Sequence, residues 1–482
     1  MPHEGERAGV TTSLKRLLSS DEAQKLKARL QNRAPSEPPA EASGIIVERP
    51  DPSKLPRFVI AIDGSQGAVQ IEEGFPGAEV GVVTVASVMI DLHKLREARV
   101  GGIPDPRKFR NLHEPHGIEV FLPSTNMVLD ACGDARESYR NEFFRVLGEK
   151  RLAEDGESLL ETYEALLVAR ADTGADKLAC PLLESCTEPK AGHKYHQALG
   201  TYTCACGKKV LFSTDALRIH ESFMDAGSNQ TVITESRSVV EHLVLVNYLR
   251  YFEKKKMWGS IEDVAFVMDG PLAVSGHPAW LAMSIKKELQ RLAEASRKAA
   301  GVTPIIFGIE KTGMFQEHLK LLDQRVQKKT RSPDQRPDPR KLAQKGFLEP
   351  GRVILVNDGY TKKHIIFKYE PPDVDPDLYK AYGATSHYGR KVLYKTASGA
   401  LITAMPAFLK AGDDDMKAEA CLDQFNSLGA ILSLLDALVS NAFRDATIPL
   451  VVAHAEASLP ARANESVLKR FFLEHQKAAD PS

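Results

Sequence analysis

No apolar run in this 482-residue chain approaches the roughly 18 residues that a membrane-spanning helix needs. The start, Met-Pro-His-Glu-Gly-Glu-Arg, is polar with no apolar stretch behind it, so no secretory signal is expected and the chain is read as cytoplasmic, with no membrane partner. An excess of either charge is also missing: 63 Lys and Arg face 64 Asp and Glu, a net −1. That excludes a uniformly basic coat for nucleic acid and leaves only local patches to meet a polyanion. Cysteine is scarce, six in all, yet Cys180, Cys186, Cys204 and Cys206 crowd into one short stretch. In a long, cytosolic chain such a cluster suits metal binding better than disulfides. What is present is ordinary globular material, 43% hydrophobic and 26% charged, which excludes disorder of the whole chain. The length suits roughly two to four domains or one large decorated domain.

The hydrophobic pattern divides the chain. Residues 12–32 predict a short amphipathic helix with Ser20-Asp21 as a cap partway along, and Pro35, Pro38, Pro39, Pro50, Pro52 and Pro56 then mark a linker. Residues 1–56 are therefore expected to be a tail outside the main fold. Residues 57–62 (RFVIAI) predict a buried strand ending in a tight turn at Asp63-Gly64-Ser65, and 79–90 a second strand. Helical spacing runs through 134–171 and 236–256. Strands are expected at 264–268, 304–309, 353–356, 364–368, 391–395, 400–404 and 449–453, with helices at 279–299 and 426–443. Adjacent strands mixed with helix crossovers predict an α/β or α+β sheet domain carrying an insertion.

Two apolar strands end in the same word, Asp-Gly: Asp63 after RFVIAI and Asp269 after VAFVM. One such word is an ordinary turn. Two, if the strands are neighbours, put two carboxylates into one crevice, where they repel unless a cation separates them. Hard oxygen ligands of this kind suit Mg²⁺ or Mn²⁺. Glu241, embedded in the apolar helical run VVEHLVLV, must be paired, protonated or bound to a cation. Glu235, near that helix's start, is the reserve choice. His454 closes the apolar run PLVVA, and Lys311 follows PIIFGI, where a cation can meet phosphate or developing negative charge.

The ordered set Asp63-Gly-Ser, helical Glu241, Asp269-Gly-Pro-Leu, Gly308-Ile-Glu-Lys311-Thr and Pro449 to Ala453-His454 resembles the NurA nuclease family over about residues 57–475. The resemblance implies a ribonuclease H-like fold related to the Argonaute nuclease domain, a mixed α/β sheet flanked by helices. It implies Mn²⁺- or Mg²⁺-dependent cleavage of DNA, and a partnership with a HerA-type hexameric DNA-translocating ATPase, met by a homodimer. Asp63, Asp269, Glu241 and His454 are then the expected metal ligands, and Lys311 the group facing the phosphate. Two ions sharing these ligands would serve in-line attack on a phosphodiester. The setting so implied is DNA end processing in repair, or defence against phage. The expected layout is a nuclease domain over 57–177 and 226–475, split by a Cys-rich insertion at 178–225, with a tail at 476–482.

In that insertion Cys180 and Cys186 are separated by five residues and Cys204 and Cys206 by one. Two local pairs of thiolates can close a tetrahedral, structural Zn²⁺ site, and Cys204-Ala-Cys206-Gly207 resembles one knuckle of a zinc ribbon. His193, His196 and His220 are possible substitutes, while Cys132 and Cys421 are isolated and expected in the core. Residues 320–345 carry nine Lys and Arg against three Asp and could follow a DNA backbone. Tyr382, Tyr388 and Tyr394, interleaved with Arg390, Lys391 and Lys395, could stack single-stranded bases. Two other readings stand beside the nuclease. One is a nucleotide phosphotransferase gripping ATP phosphates with Asp63–Gly67; the other is a non-catalytic adaptor of the ATPase.

Overall fold

The computed structural model describes residues 16–30, 40–72, 77–97, 99–100, 103–104, 113–171, 199–323, 348–366, 380–458 and 468–472, with short breaks inside the last third and at 205–206 and 208–209. Residues 1–39 and 40–482 form two separate units. In the first, helix α1 (Asp21–Arg29) begins where the Ser20 side chain accepts the Ala23 N–H. Asp21 and Glu22 occupy its first turn and Lys27 and Arg29 its last, matching the helix dipole. None of its residues is buried.

The second unit is built on a mixed sheet, nine strands among the described residues. These are β1 (Ile46–Glu48), β2 (Phe58–Glu72), β3 (Ala78–Asp91), β4 (His113–Pro123), β5 (Val264–Asp269), β6 (Ile305–Glu310), β7 (Arg352–Ile354), β8 (Val392–Lys395) and β9 (Leu401–Pro406). Their order across the sheet is β1-β7-β8-β9-β6-β5-β2-β3-β4. The pairs β2–β5 and β5–β6 are parallel; the pairs on either side of that centre are antiparallel.

Alternation along the central strands feeds two cores. Ile60 and Ile62 of β2 and Phe266 and Met268 of β5 face one side. There α2 (Ala135–Glu149), α3 (Leu159–Ala171), α4 (Gln230–Lys254) and α5 (Leu281–Ala300) supply Phe143, Leu166, Leu243 and Leu289. Val59, Ala61, Ala265 and Val267 face the other side, under α7 (Leu428–Leu438) and α8 (Ile448–Ala457). Helix α6 (Met314–Leu322) follows β6 and packs Phe315 and Leu319 into a smaller cluster with Leu393.

Several expectations are corrected. Asp63-Gly64-Ser65 is no turn: β2 runs on to Glu72, because β3 continues the ladder past Asp63↔Ala86 to Glu72↔Ala78. Asp63–Gly67 is therefore strand, and the phosphate-gripping loop of the phosphotransferase reading is absent there. Residues 449–453 form helix, not strand; Pro449 in the first turn, where a missing N–H costs nothing, starts α8. Thr361–Ile366 is also helical, opened by the Asn357 side chain accepting the Tyr360 N–H at 2.7 Å. Ile46–Glu48, inside the expected linker, pairs with β7 as an edge strand. Strand β4 had not been foreseen, since Pro115 and Gly117 interrupt its pattern. In the expected insertion, Ala216, Leu217, Ile219 and Phe223 join the main core, so the C-terminal part of that segment is integral to the fold.

Gly308 in β6 marks the closest approach of a glycine to another stretch of backbone among the described residues. A Cβ there would lie 2.3 Å from the Gly270 carbonyl oxygen, which is backbone and cannot swing aside. Gly308→Ala should cost about 1–3 kcal/mol of stability by overpacking, read as a lowered denaturation midpoint with unchanged slope.

Candidate metal centre

The site forms where two central strands part. Parallel pairing of β2 with β5 runs from Phe58↔Val264 to Ile62↔Met268 and stops. The next residues are Asp63 and Asp269. Strand β2 continues with β3, whereas the chain turns away after Asp269 at Gly270, whose φ is 110° and whose N–H donates to the Ile309 carbonyl at 2.8 Å. Asp63 is in phase with Val59 and Ala61, and Asp269 with Ala265 and Val267, so both carboxylates emerge on the face covered by α8. The last turn of that helix brings His454.

One ligand atom each from Asp63, Asp269 and His454 lies within 4.8 Å of the others. His454 Nδ1 is 2.8 Å from Asp63 Oδ2, and Asp63 Oδ1 accepts the Gly64 N–H at 2.8 Å. Lys311 Nζ donates to Asp269 Oδ2 at 2.5 Å. Asp63 is buried while the His454 side chain is 63% exposed, so the cluster opens to solvent through the imidazole. Burial, then the neighbouring Asp269 charge, push the Asp63 carboxyl above its ordinary range; His454 and Lys311 oppose the push. Two carboxylates forced together, with an imidazole beside them, form a donor set that fits a divalent cation such as Mn²⁺ or Mg²⁺.

Glu241 reaches the same level of β2 from the opposite face. Its carboxylate presses on Gly64 so closely that a Cβ there would sit 2.3 Å from Glu241 Oε1. Only glycine leaves that room. Glu241 is buried, and burial raises its carboxyl to about 7; Arg237 opposes this, and the charges of Asp63 and Asp269 add to it. Glu241 lies outside the cluster of three and instead accepts from Arg237 Nη1 at 2.5 Å. Glu235 lies six residues earlier, about 9 Å along the helix axis. Its carboxylate accepts the His277 N–H at 3.2 Å, so it belongs to the loop after β5 and not to this site.

Sequence reasoning thus named Asp63, Asp269, Glu241, Lys311 and His454; the structure brings Asp63, Asp269, His454 and Lys311 to one opening and places Glu241 behind it, on the other face of β2. It missed Arg237, although an Arg four residues before a buried Glu is a legible helical pair. It also missed Gly64 as a packing requirement. The tyrosine and cation set is no DNA-stacking platform. Tyr388, Tyr394, Arg390, Lys391 and Lys395 are all buried, and Lys395 Nζ binds Asp323 Oδ1 at 2.6 Å. Cys132 is half-buried and Cys421 exposed, so neither is a core residue. Cys204 is buried at the end of the first strand of a hairpin, Thr201–Thr203 with Val210–Phe212. Cys180, Cys186, Cys206, His193, His196 and most of the basic stretch 320–345 lie outside the described residues.

The crowded acids set a pH dependence for the metal-free protein. Folded Glu241 takes up its proton at about 7 against an ordinary 4.5, and Asp63 is shifted in the same direction. The folded state therefore binds protons more tightly, and the stability this contributes is full below about pH 4.5 and lost as pH rises through about 7. The Glu241 displacement corresponds to about 3 kcal/mol. Denaturant melts in chelator should show that loss between pH 5 and 8, and millimolar Mn²⁺ should restore stability at the alkaline end; a flat profile contradicts the site's electrostatics.

Residues 58–370 match the NurA domain family. Two solved structures are similar over nearly the whole chain. One is described as the crystal structure of the NurA nuclease from Sulfolobus solfataricus (11% identity, 97% of this chain and 98% of that one, TM-score 0.32). The other is described as the crystal structure of NurA (10% identity, 99% and 98%, TM-score 0.29). Among curated proteins there is no match. Since the matched span exceeds half of its length, the chain belongs to the NurA domain family.

Proposed function

We propose that the chain is a metal-dependent deoxyribonuclease of ribonuclease H-like fold, with its centre at Asp63, Asp269, Glu241 and His454. The observation that carries this reading is the meeting of Asp63, Asp269 and His454 at the parting of β2 and β5 in a NurA-domain chain. Support for the fold comes from strand order: an antiparallel run β4-β3-β2 continues into the parallel strands β5 and β6.

Asp63, Asp269 and His454 would hold one divalent ion, and Glu241 would help to hold a second. Bound there, such ions supply Lewis acidity toward a phosphodiester, activating a water and steadying the departing 3′-oxygen. The chain's own groups prepare the place. His454 Nδ1 stands 2.8 Å from Asp63 Oδ2, which holds the ring beside the carboxylates, where a ring nitrogen would turn to an ion. Lys311 offsets the Asp269 charge and stands where a phosphate oxygen would arrive. Burial of Asp63 and Glu241 keeps water from screening the centre. Partnership with a HerA-type hexameric ATPase, a homodimeric state, and a role in DNA end repair or phage defence belong to this proposal through family membership.

The test is cleavage of end-labelled single- and double-stranded DNA with Mn²⁺, Mg²⁺ or EDTA, with and without a HerA-type ATPase. Asp63→Asn and Asp269→Asn should each lose more than about a hundredfold in rate, beyond the cost of losing a group that merely supports a ligand. Full activity in either, at unchanged fold, contradicts the assignment. A structural zinc site at Cys180, Cys186, Cys204 and Cys206 is a second part of the proposal, supported by the hairpin that carries Cys204. Cys204→Ser should reduce bound zinc, measured by elemental analysis, and lower the melting temperature; unchanged zinc content removes the ribbon reading.

A further inference from the structure

Asp63 and Asp269 end paired stretches of a sheet, but His454 comes to them from the last turn of a helix. Its ring is 63% exposed, and among the described residues its polar contact is with Asp63. What holds that last turn therefore decides where the imidazole stands. Ile448, Leu450, Val452, Ala453 and Ala457 press α8 onto the sheet. Such burial is non-directional. Ala453 and Ala457, four apart on one face of the helix, are smooth, so they keep α8 on the sheet without fixing its height or rotation.

Hydrogen bonds fix the turn instead. The last four carbonyls of a helix have no partner inside it. In α8 the His454 carbonyl accepts the Ser458 N–H at 2.8 Å and the Ser458 hydroxyl at 2.5 Å. The Ala457 carbonyl accepts the hydroxyl of Thr84, from β3. Between Val80 and Ile90 that strand carries two hydroxyls, Thr84 and Ser87, and alternation sends them to opposite faces. Ser87 meets the Tyr248 hydroxyl of α4 at 2.7 Å, and Thr84 meets the end of α8. Each ties β3 to the helix on its own face. Asp63 pairs with Ala86 and Ser65 with Thr84, so the tie to α8 is anchored one same-face step from Asp63. Ala457 and His454 are three apart, neighbours on the helix surface.

We propose that Thr84 is a positioning residue for the metal centre: its hydroxyl fixes the last turn of α8 against β3 and so holds the His454 imidazole beside Asp63 and Asp269. Thr84 itself touches neither ion nor substrate. Without its hydroxyl the apolar face of α8 stays buried, but the turn loses its directional anchor and the imidazole its fixed place. This rests on the metal-centre reading above and adds to it the group that completes the ligand set.

Two measurements on the metal-free full chain test it, with melting temperature as the control for folding. Thr84→Val keeps the shape and deletes the hydroxyl, Thr84→Ala deletes it without branching, and Thr84→Ser keeps it. In calorimetric titration with Mn²⁺, the Val and Ala variants should bind at least about tenfold more weakly than wild type and the Ser variant within about threefold. In nitrogen-15 spectra of histidine-labelled protein, the His454 ring signals, assigned by their loss in His454→Ala, should shift in Thr84→Val and Thr84→Ala and return in Thr84→Ser. A merely structural hydroxyl would lower the melting temperature and leave the ring signals in place. Unmoved ring signals, or wild-type Mn²⁺ affinity in folded Thr84→Val and Thr84→Ala, overturn the positioning role while the metal centre stands. No Mn²⁺ bound by wild type overturns the centre, and the positioning role with it.

Discussion

Everything at the site depends on the place where β2 and β5 stop pairing. Up to Ile62↔Met268 the two strands share a ladder, and their backbone groups are satisfied by each other. One residue later β2 still has β3, whereas β5 ends. That asymmetry opens the sheet at its centre and leaves Asp63 and Asp269 side by side on one face. The rest of the molecule fixes this opening. Gly308 lets the turn after Asp269 lie against β6, Gly64 lets Glu241 lie against β2, and α8 brings His454 across the gap. Two of these contacts need the absence of a Cβ, so the centre is made as much by missing atoms as by charged ones.

The electrostatics follow from that packing. Like charges at short range in a poorly solvated pocket raise one another's proton affinity, and the chain offsets them incompletely with Lys311, His454 and Arg237. The metal-free protein is therefore strained toward protonation at Asp63 and Glu241. A divalent cation held there would relieve that strain, as protonation does. Such tension between folding and function is expected where a fold holds a reactive centre.

Much of this was legible in the sequence, and the failures have identifiable causes. The apolar strands RFVIAI, VAFVM and PIIFGI were readable because parallel central strands are buried on both faces and carry little else. Asp269-Gly270 was read correctly as a strand end. Asp63-Gly64 was not, because the same two letters serve a turn in one case and a helix contact in the other; only the neighbour that continues the ladder decides between them. The run PLVVA was too short to distinguish strand from helix by periodicity, and Pro449 favours a helix start as readily as an edge strand. His454 was nevertheless placed at the site, since either element carries it there. The tyrosine and lysine stretch at 382–395 failed for the opposite reason: alternation of aromatics and cations reads as a surface for nucleic acid, but its lysines and arginine are buried by partners such as Asp323 and Glu310 that lie far away in the chain.

The central claim is that the parting of β2 and β5 is a cation site. The most direct measurement is anomalous diffraction from crystals of the full chain soaked in MnCl₂. The account predicts a manganese peak bonded to Asp63, Asp269 and His454, with the contact between His454 Nδ1 and Asp63 rearranged to admit it. A peak confined to other residues, or none while the His454–Asp63 contact persists unchanged, would contradict it.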